Sequence, residues 1–148
     1  MLVVGSDHAG FALKERIKPG LKKMGFDIED LGPKKFDKND DYPVFAAAVA
    51  KQVRRREGGR GILICRSGNG MAIAANKFSG IRAALAWNEK SASLASLEGN
   101  SNILVLPALF VNSARALKII KIWLSTSFRR IPRYRRRLGQ IARIENYN

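Results

Sequence analysis

Ile62-Leu63-Ile64-Cys65-Arg66-Ser67-Gly68-Asn69-Gly70-Met71-Ala72-Ile73-Ala74-Ala75-Asn76-Lys77 is the stretch whose reading decides the fold. Three β-favouring apolar residues predict a buried strand, a glycine-punctuated loop follows, and an alanine-rich helix is expected from Gly70 or Met71. Strand, loop and helix N-terminus in succession form an anion site, because unpaired backbone N–H groups and the helix dipole converge there. The loop is neither G-x-G-x-x-G nor a Walker A, since no Gly-Lys-Ser/Thr follows it. Its distinguishing residue is Cys65, the single cysteine of the chain, where strand becomes loop. A lone cysteine is ordinarily a small buried hydrophobe. At the mouth of such a loop, however, its thiol pKa is expected to fall from about 8.5 toward neutrality, giving a thiolate nucleophile or base. The N–H groups of residues 66 to 70 are placed to stabilise an oxyanion, and Ser67 to shuttle a hydroxyl proton.

Working outward, the same alternation of strand and helix recurs. Leu2-Val3-Val4-Gly5 reads as a first strand, followed by a helix through Leu13, Ile17, Leu21 and Met24 that Pro19-Gly20 should kink or weaken. A second strand over Phe26 to Leu31 leads into a polar loop from Gly32 to Asp41. Asp41 is the expected N-cap of a helix with Pro43 in its first turn, running to Arg55. Beyond the central stretch come a strand over Arg82 to Ala86, a helix over Glu89 to Leu97 and a strand over Asn102 to Leu106. A helix starting at Asn112-Ser113 carries an apolar arc, Leu117 to Leu124, too wide for one buried face and therefore expected to meet another subunit in part. Pro132 opens a last, basic helix reaching Ile144. The pattern predicts a single domain over residues 1–148. Its architecture is a Rossmann-like three-layer α/β/α sandwich on a five-stranded parallel sheet of order 2-1-3-4-5, plus the C-terminal helix. Ligands in such sheets bind beyond the carboxyl ends of strands one and three, which brings Asp7-His8 to Cys65-Arg66-Ser67.

Bulk properties narrow the partner classes. A chain of 148 residues can bury a real core, and its one cysteine rules out an internal disulfide and fits a reducing, cytoplasmic setting. No apolar run approaches the roughly 20 residues that span a bilayer, and the N-terminal residues lack the basic start of a signal peptide. With 27 Lys and Arg against 12 Asp and Glu the net charge is +15, and arginines 129, 130, 133, 135, 136, 137 and 143 crowd the C-terminus. Such a patch attracts phosphate; nucleic acid is a second partner class, not the favoured one. His8 is the only histidine, so no multi-histidine metal site can form and no metal is expected. Asp7 with His8 suits proton transfer or phosphate binding near neutral pH, although a strand-end Asp-His pair is often only turn and cap chemistry.

Gly5-Ser6-Asp7-His8-Ala9-Gly10-Phe11, Asp41-Tyr42-Pro43, Cys65-Arg66-Ser67-Gly68-Asn69-Gly70 and Ala74-Ala75-Asn76-Lys77 lie in order along nearly the whole chain. Together they resemble the type B ribose-5-phosphate isomerases, a family that also holds the galactose-6-phosphate isomerase subunits. The resemblance implies cofactor-free aldose–ketose isomerisation through a cis-enediolate, in a homodimer or homotetramer with active sites at the subunit interface. It implies that Cys65 is the base moving a proton between C1 and C2, the alternative glutamate position being Met71 here. Asp7 would lie near the sugar ring oxygen and hydroxyls, and His8 on the phosphate side. Tyr42 would line the pocket, and Arg66, Ser67, Gly68, Asn69 and Gly70 form the enediolate loop. Asn100 would bind the enediolate-side oxygens, and Arg133 and Arg137, on one face of the last helix, would clamp the phosphate. Gly99 stands where the family usually has a ring-opening histidine, and Leu109 where it has a third phosphate arginine. Ribose 5-phosphate is the expected substrate. The alternatives are another sugar phosphate, or a non-catalytic descendant that binds anions or nucleic acid.

Overall fold

A computed structural model describes residues 1–147; residue 148, the last of the expected domain, lies outside the described residues. Five parallel strands, β1 (Leu2–Ser6), β2 (Ile28–Asp30), β3 (Arg60–Cys65), β4 (Ala83–Leu85) and β5 (Ile103–Pro107), alternate with helices. These are α1 (His8–Lys23), α2 (Tyr42–Arg54), α3 (Asn69–Ala75), α4 (Glu89–Leu97), α5 (Ser113–Ser125) and α6 (Pro132–Ile144). A short 3-10 turn, Glu145–Tyr147, follows α6.

The three layers follow from the two-residue period of the strands. Leu2, Val4, Ile62, Ile64, Leu104 and Leu106 point to the face covered by α1, α4 and α5. Val3, Leu63, Cys65, Ile103 and Val105 point to the face covered by α2 and α3. Cys65 thus faces α2 and α3 because it sits an even number of residues from Leu63. Gly10 lets α1 press against the end of β3; a Cβ there would stand 2.3 Å from the Ile64 carbonyl oxygen.

The sheet order is β2-β1-β3-β5-β4, not the sequential order expected at the last two strands. Interior positions demand burial on both faces, and all five residues of β5 are buried. The three residues of β4 are only partly covered, so the short strand takes the edge and the apolar one inserts beside β3. The switch point between β1 and β3 is unaffected.

Two local expectations also change. Helix α1 is continuous through Pro19, and Gly20 is where Leu117 of α5 lies, 2.5 Å from a would-be Cβ. Most of the α5 arc is covered within the chain: Ala116, Ile119, Ile120 and Trp123 are buried, Leu117 and Leu124 pack against the same core, and Ile122 is left half-buried. The large exposed apolar side chains lie elsewhere, Trp87, Leu109 and Phe110 among them.

Candidate active site

Asp7 ends β1 and caps α1, its Oδ1 accepting from the Gly10 N–H at 3.0 Å. Burial pushes its carboxyl above the usual aspartate range, more strongly than the Gly10 hydrogen bond and the neighbouring His8 pull it down. Its own N–H donates to the Ile64 carbonyl at 3.3 Å, which ties the end of β1 to the end of β3.

His8 has a partner that the sequence does not advertise. Asp40 Oδ1 lies 2.7 Å from His8 Nδ1 and accepts from the His8 backbone N–H at 2.9 Å. This pairing raises the imidazole pKa above its ordinary 6.5, with Asp7 adding to the effect against a partial loss of hydration. It also puts the Nδ1 proton on the Asp40 side and leaves Nε2 for a ligand. Asp40 arrives from 32 positions away at the end of the polar loop. Fully buried Lys14 anchors that loop, donating to Asp30 at 2.7 Å, Glu15 at 2.8 Å and the Pro33 carbonyl at 3.0 Å. Burial opposes ionisation of Asp30, but Lys14 and Lys18 outweigh it and hold its carboxyl at about 2. Asp41 occupies the N-cap position of α2 without a side-chain bond to the helix. An Asp-Asp pair closing a polar loop is the only signal for Asp40 in the sequence.

Cys65 is buried at the last position of β3, and its Sγ accepts from the Gly68 N–H at 3.2 Å. The expected lowering of its pKa is reversed. Burial raises the thiol above its ordinary 9.0 and the Asp7 carboxylate adds to this, outweighing the N–H groups of Met71, Gly68 and Ser67. Met71, at the alternative base position, is fully buried under the loop.

The loop itself is shaped by its glycines. Gly68 has φ +83°, and a Cβ there would also stand 2.2 Å from Leu85 Cδ1. Gly70 receives the ring of Tyr42, which would meet a Cβ at 2.5 Å, so the pocket tyrosine at the start of α2 lies on the loop. Ser67 Oγ accepts from the Asn69 N–H at 3.3 Å. Arg66 is exposed on the outer side, its carbonyl accepting from the Leu109 N–H at 3.0 Å. A groove of about 400 Å³ runs beside Ser67 and Asn69, walled by Leu85, Trp87, Pro107 and Phe110. In the Ala74-Ala75-Asn76-Lys77 motif, Asn76 is a structural clip, exchanging hydrogen bonds with Ala83 at 2.8 and 2.9 Å.

Asp7, His8, Tyr42, Cys65 and residues 66 to 70 are therefore brought together. Asn100, Arg133 and Arg137 are not. Asn100, at φ +43°, precedes β5 at the opposite, amino end of the sheet, where its carbonyl accepts from Arg82 Nε at 2.9 Å. Helix α6 docks on the end of α4 there, through the Tyr134 hydroxyl donating to Glu98 at 3.0 Å, and Arg133 and Arg137 stand exposed on it. Gly99 is tight for a side chain, with the Ala95 carbonyl 3.0 Å from a would-be Cβ. Leu109 is exposed beside the β5 end and offers no charge.

A doubly wound parallel sheet with acid–base groups gathered where its strand order reverses defines an α/β protein with a polar small-molecule site. Residues 2–141 match the Ribose/Galactose Isomerase family, and the chain belongs to that family. A probable ribose-5-phosphate isomerase B from Mycoplasma genitalium is 43% identical over 145 residues, covering 97% of this chain and 95% of the relative. Ribose-5-phosphate isomerase B of Mycobacterium tuberculosis is 38% identical over 142 residues, covering 96% and 88% respectively. The crystal structure of the Mycoplasma genitalium enzyme with bound ribulose-5-phosphate superimposes with a TM-score of 0.94 at 42% identity, covering 99% of this chain and 97% of that one. The type B enzyme of Trypanosoma cruzi gives 0.93 at 35% identity, covering 99% of both.

Proposed function

We propose that this chain is an aldose–ketose isomerase that interconverts ribose 5-phosphate and ribulose 5-phosphate in the cytoplasm, needing no cofactor because the reaction moves only protons. The observation that carries the reading is the meeting of Cys65, Asp7 and the His8–Asp40 pair around the glycine loop, in a chain 42% identical to the ribulose-5-phosphate-bound relative and sharing its fold.

In the forward direction Asp7, at the ring oxygen, assists opening of the furanose. The Cys65 thiolate removes the proton from C2, and the electron pair moves into a C1–C2 double bond while O1 becomes the enediolate oxygen. Backbone N–H groups of the loop over residues 66 to 70 hold that charge. Ser67 carries the O2 proton to O1, and Cys65 returns its proton to C1, giving the ketose. The N–H groups of Met71, Gly68 and Ser67 that already point at Sγ support the thiolate. Tyr42 packs over the sugar, and His8, its pKa raised by Asp40, faces the phosphate.

The phosphate clamp, Arg133 and Arg137, and the enediolate contact, Asn100, come from a second copy of the chain, since in one chain they stand at the other end of the sheet from Cys65. Exposed Trp87 and Phe110, beside the loop, are the apolar surface such a copy would cover. The assembly is thus a homodimer or a homotetramer built of such pairs. A coupled assay run from both sugars tests the reading: interconversion in both directions is expected, and a protein inert toward both ribose 5-phosphate and ribulose 5-phosphate would overturn it.

A further inference from the structure

At the amino end of the sheet, the loop between α2 and β3 and the turns before β4 and β5 enclose a polar cavity of about 370 Å³. Arg54, Arg56, Arg60 and Arg82 line it, and no carboxylate does. Arg56 is neutralised by Glu29, at 2.9 Å. Among the described residues, Arg54, Arg60 and Arg82 have no carboxylate oxygen within 4.0 Å. Glu145, whose charge reaches Arg82, is engaged instead by the Ser79 hydroxyl at 2.9 Å and the Gly80 N–H at 3.0 Å.

Two of these arginines are held in fixed positions. The Arg60 guanidinium lies 5.0 Å from the centre of the buried Trp123 ring and donates to the Ser101 carbonyl at 3.3 Å. The Trp123 indole is itself held by the Ser101 hydroxyl, at 2.8 Å. Arg82 uses Nε on the Asn100 carbonyl, at 2.9 Å, which leaves its two terminal nitrogens for another acceptor. Both guanidiniums are half-buried, and burial, with their mutual repulsion at Arg60, pulls both pKa values down. Like charges ordered side by side with no carboxylate in contact are an unfavourable arrangement that an anion would relieve. A planar fork with free donors matches phosphate oxygens in particular.

We propose that this cavity is a binding site for a small phosphate-bearing anion, held by Arg60 and Arg82 with Arg54 at the rim. The cavity lies at the other end of the sheet from the Cys65 cluster of the same chain, and it shares with the isomerase reading only Asn100, which lines it and holds Arg82 through its backbone carbonyl.

The chain has two tryptophans, and Trp87 is exposed far along the sheet from the cavity, so Trp87→Phe leaves Trp123 as a single indole reporter beside Arg60. The full-length ¹⁵N-labelled Trp87→Phe protein is titrated separately with inorganic phosphate, pyrophosphate and a nucleoside monophosphate while the Trp123 Nε1–H resonance is followed. A saturable shift is expected, and the tighter of the free phosphate and the ester names the source of the ligand. Arg82→Gln should raise the apparent Kd at least about tenfold, whereas the double variant Arg133→Gln/Arg137→Gln should leave it unchanged. No saturable shift, a shift that survives Arg82→Gln, or one abolished by the Arg133/Arg137 double variant would overturn the site. A shift produced only by a single-stranded oligonucleotide would overturn it too, in favour of a nucleic-acid surface. Should Arg82→Gln fail to fold, Arg54→Gln on the exposed rim decides: several-fold weaker binding supports the proposal, and unchanged binding rejects it.

Discussion

At the carboxyl end of the sheet, Asp7, His8 and Cys65 are each held by hydrogen bonds of 2.7 to 3.2 Å, to Gly10, Asp40 and Gly68. Around the C-terminus of α4, at the other end, Arg133 and Arg137 project into solvent, and Asn100 is fixed through its backbone, its carbonyl bonded to Arg82. The first group is rigid and partly desolvated, the condition under which acid–base pKa values shift and enediolate charge is stabilised. The second is exposed and cationic, suited to long-range attraction of phosphate and to completion by another copy. On the proposed reading, the contrast means that chemistry and phosphate capture are divided between the two ends of one chain, and that neither end is a whole site alone.

The largest expected effect breaks the rigid end. Cys65→Ala should lower turnover by ~10²–10⁴-fold or more, the usual contribution of a positioned base, while thermal melting shows the fold retained. If the proposed base is the thiolate of Cys65, whose pKa is raised above 9.0, turnover of the unaltered protein should climb with pH through the alkaline range. Near-normal turnover of the alanine variant would reassign the proton transfer.

Breaking the exposed end should look different. Arg137→Gln is expected to raise KM by roughly ten- to a hundredfold with a smaller effect on kcat, because phosphate binding is largely shared by ground and transition states. The division itself is tested by mixing this variant with Cys65→Ala after dissociation. A heterodimer then holds one site with both residues intact, and activity should return to about a quarter of the unaltered level at equal mixing. No recovery would place Cys65 and Arg137 of one site in the same chain.

A smaller effect is expected at Gly99. Positioned acid–base groups assist ring opening, and glycine supplies none. Gly99→His should therefore speed the aldose by about tenfold and leave the open-chain ketose nearly unaffected, with slight loosening of the end of α4 because the new Cβ meets the Ala95 carbonyl at 3.0 Å. Equal stimulation of both directions would show that another group opens the ring.

The smallest effect is a displaced pH profile. The His8 pKa lies above 6.5 chiefly because of Asp40, so the phosphate-side cation is fully present below 6.5 and is lost as pH rises through the raised value. KM should rise over that interval, and any stability contributed by the His8–Asp40 pair fades over it as well. Asp40→Asn removes the main upward influence and should move the rise in KM to lower pH without altering kcat at acid pH. A KM profile unmoved by the substitution would remove His8 from phosphate binding.

Much of this is legible in the amino-acid sequence by itself. The run Ile62 to Cys65, its glycine loop and the strand–helix alternation around it determine a parallel α/β sheet, because local periodicity and glycine punctuation are properties of neighbouring residues. The same locality makes Asp7, His8 and Cys65 readable as strand-end residues meeting at a switch point. Tertiary structure decided what depends on comparison between distant segments. It put the wholly buried β5 inside and the short β4 at the edge. It covered most of the α5 arc with α1 and the core, and it brought Asp40 across 32 positions to His8. It also set the sign of the Cys65 shift, since loop amides are local but burial and the Asp7 carboxylate come from packing. Finally, it separated Asn100, Arg133 and Arg137 from Cys65, because each helix returns the chain to the amino end of the parallel sheet, α4 delivering Asn100 there and α5 delivering α6.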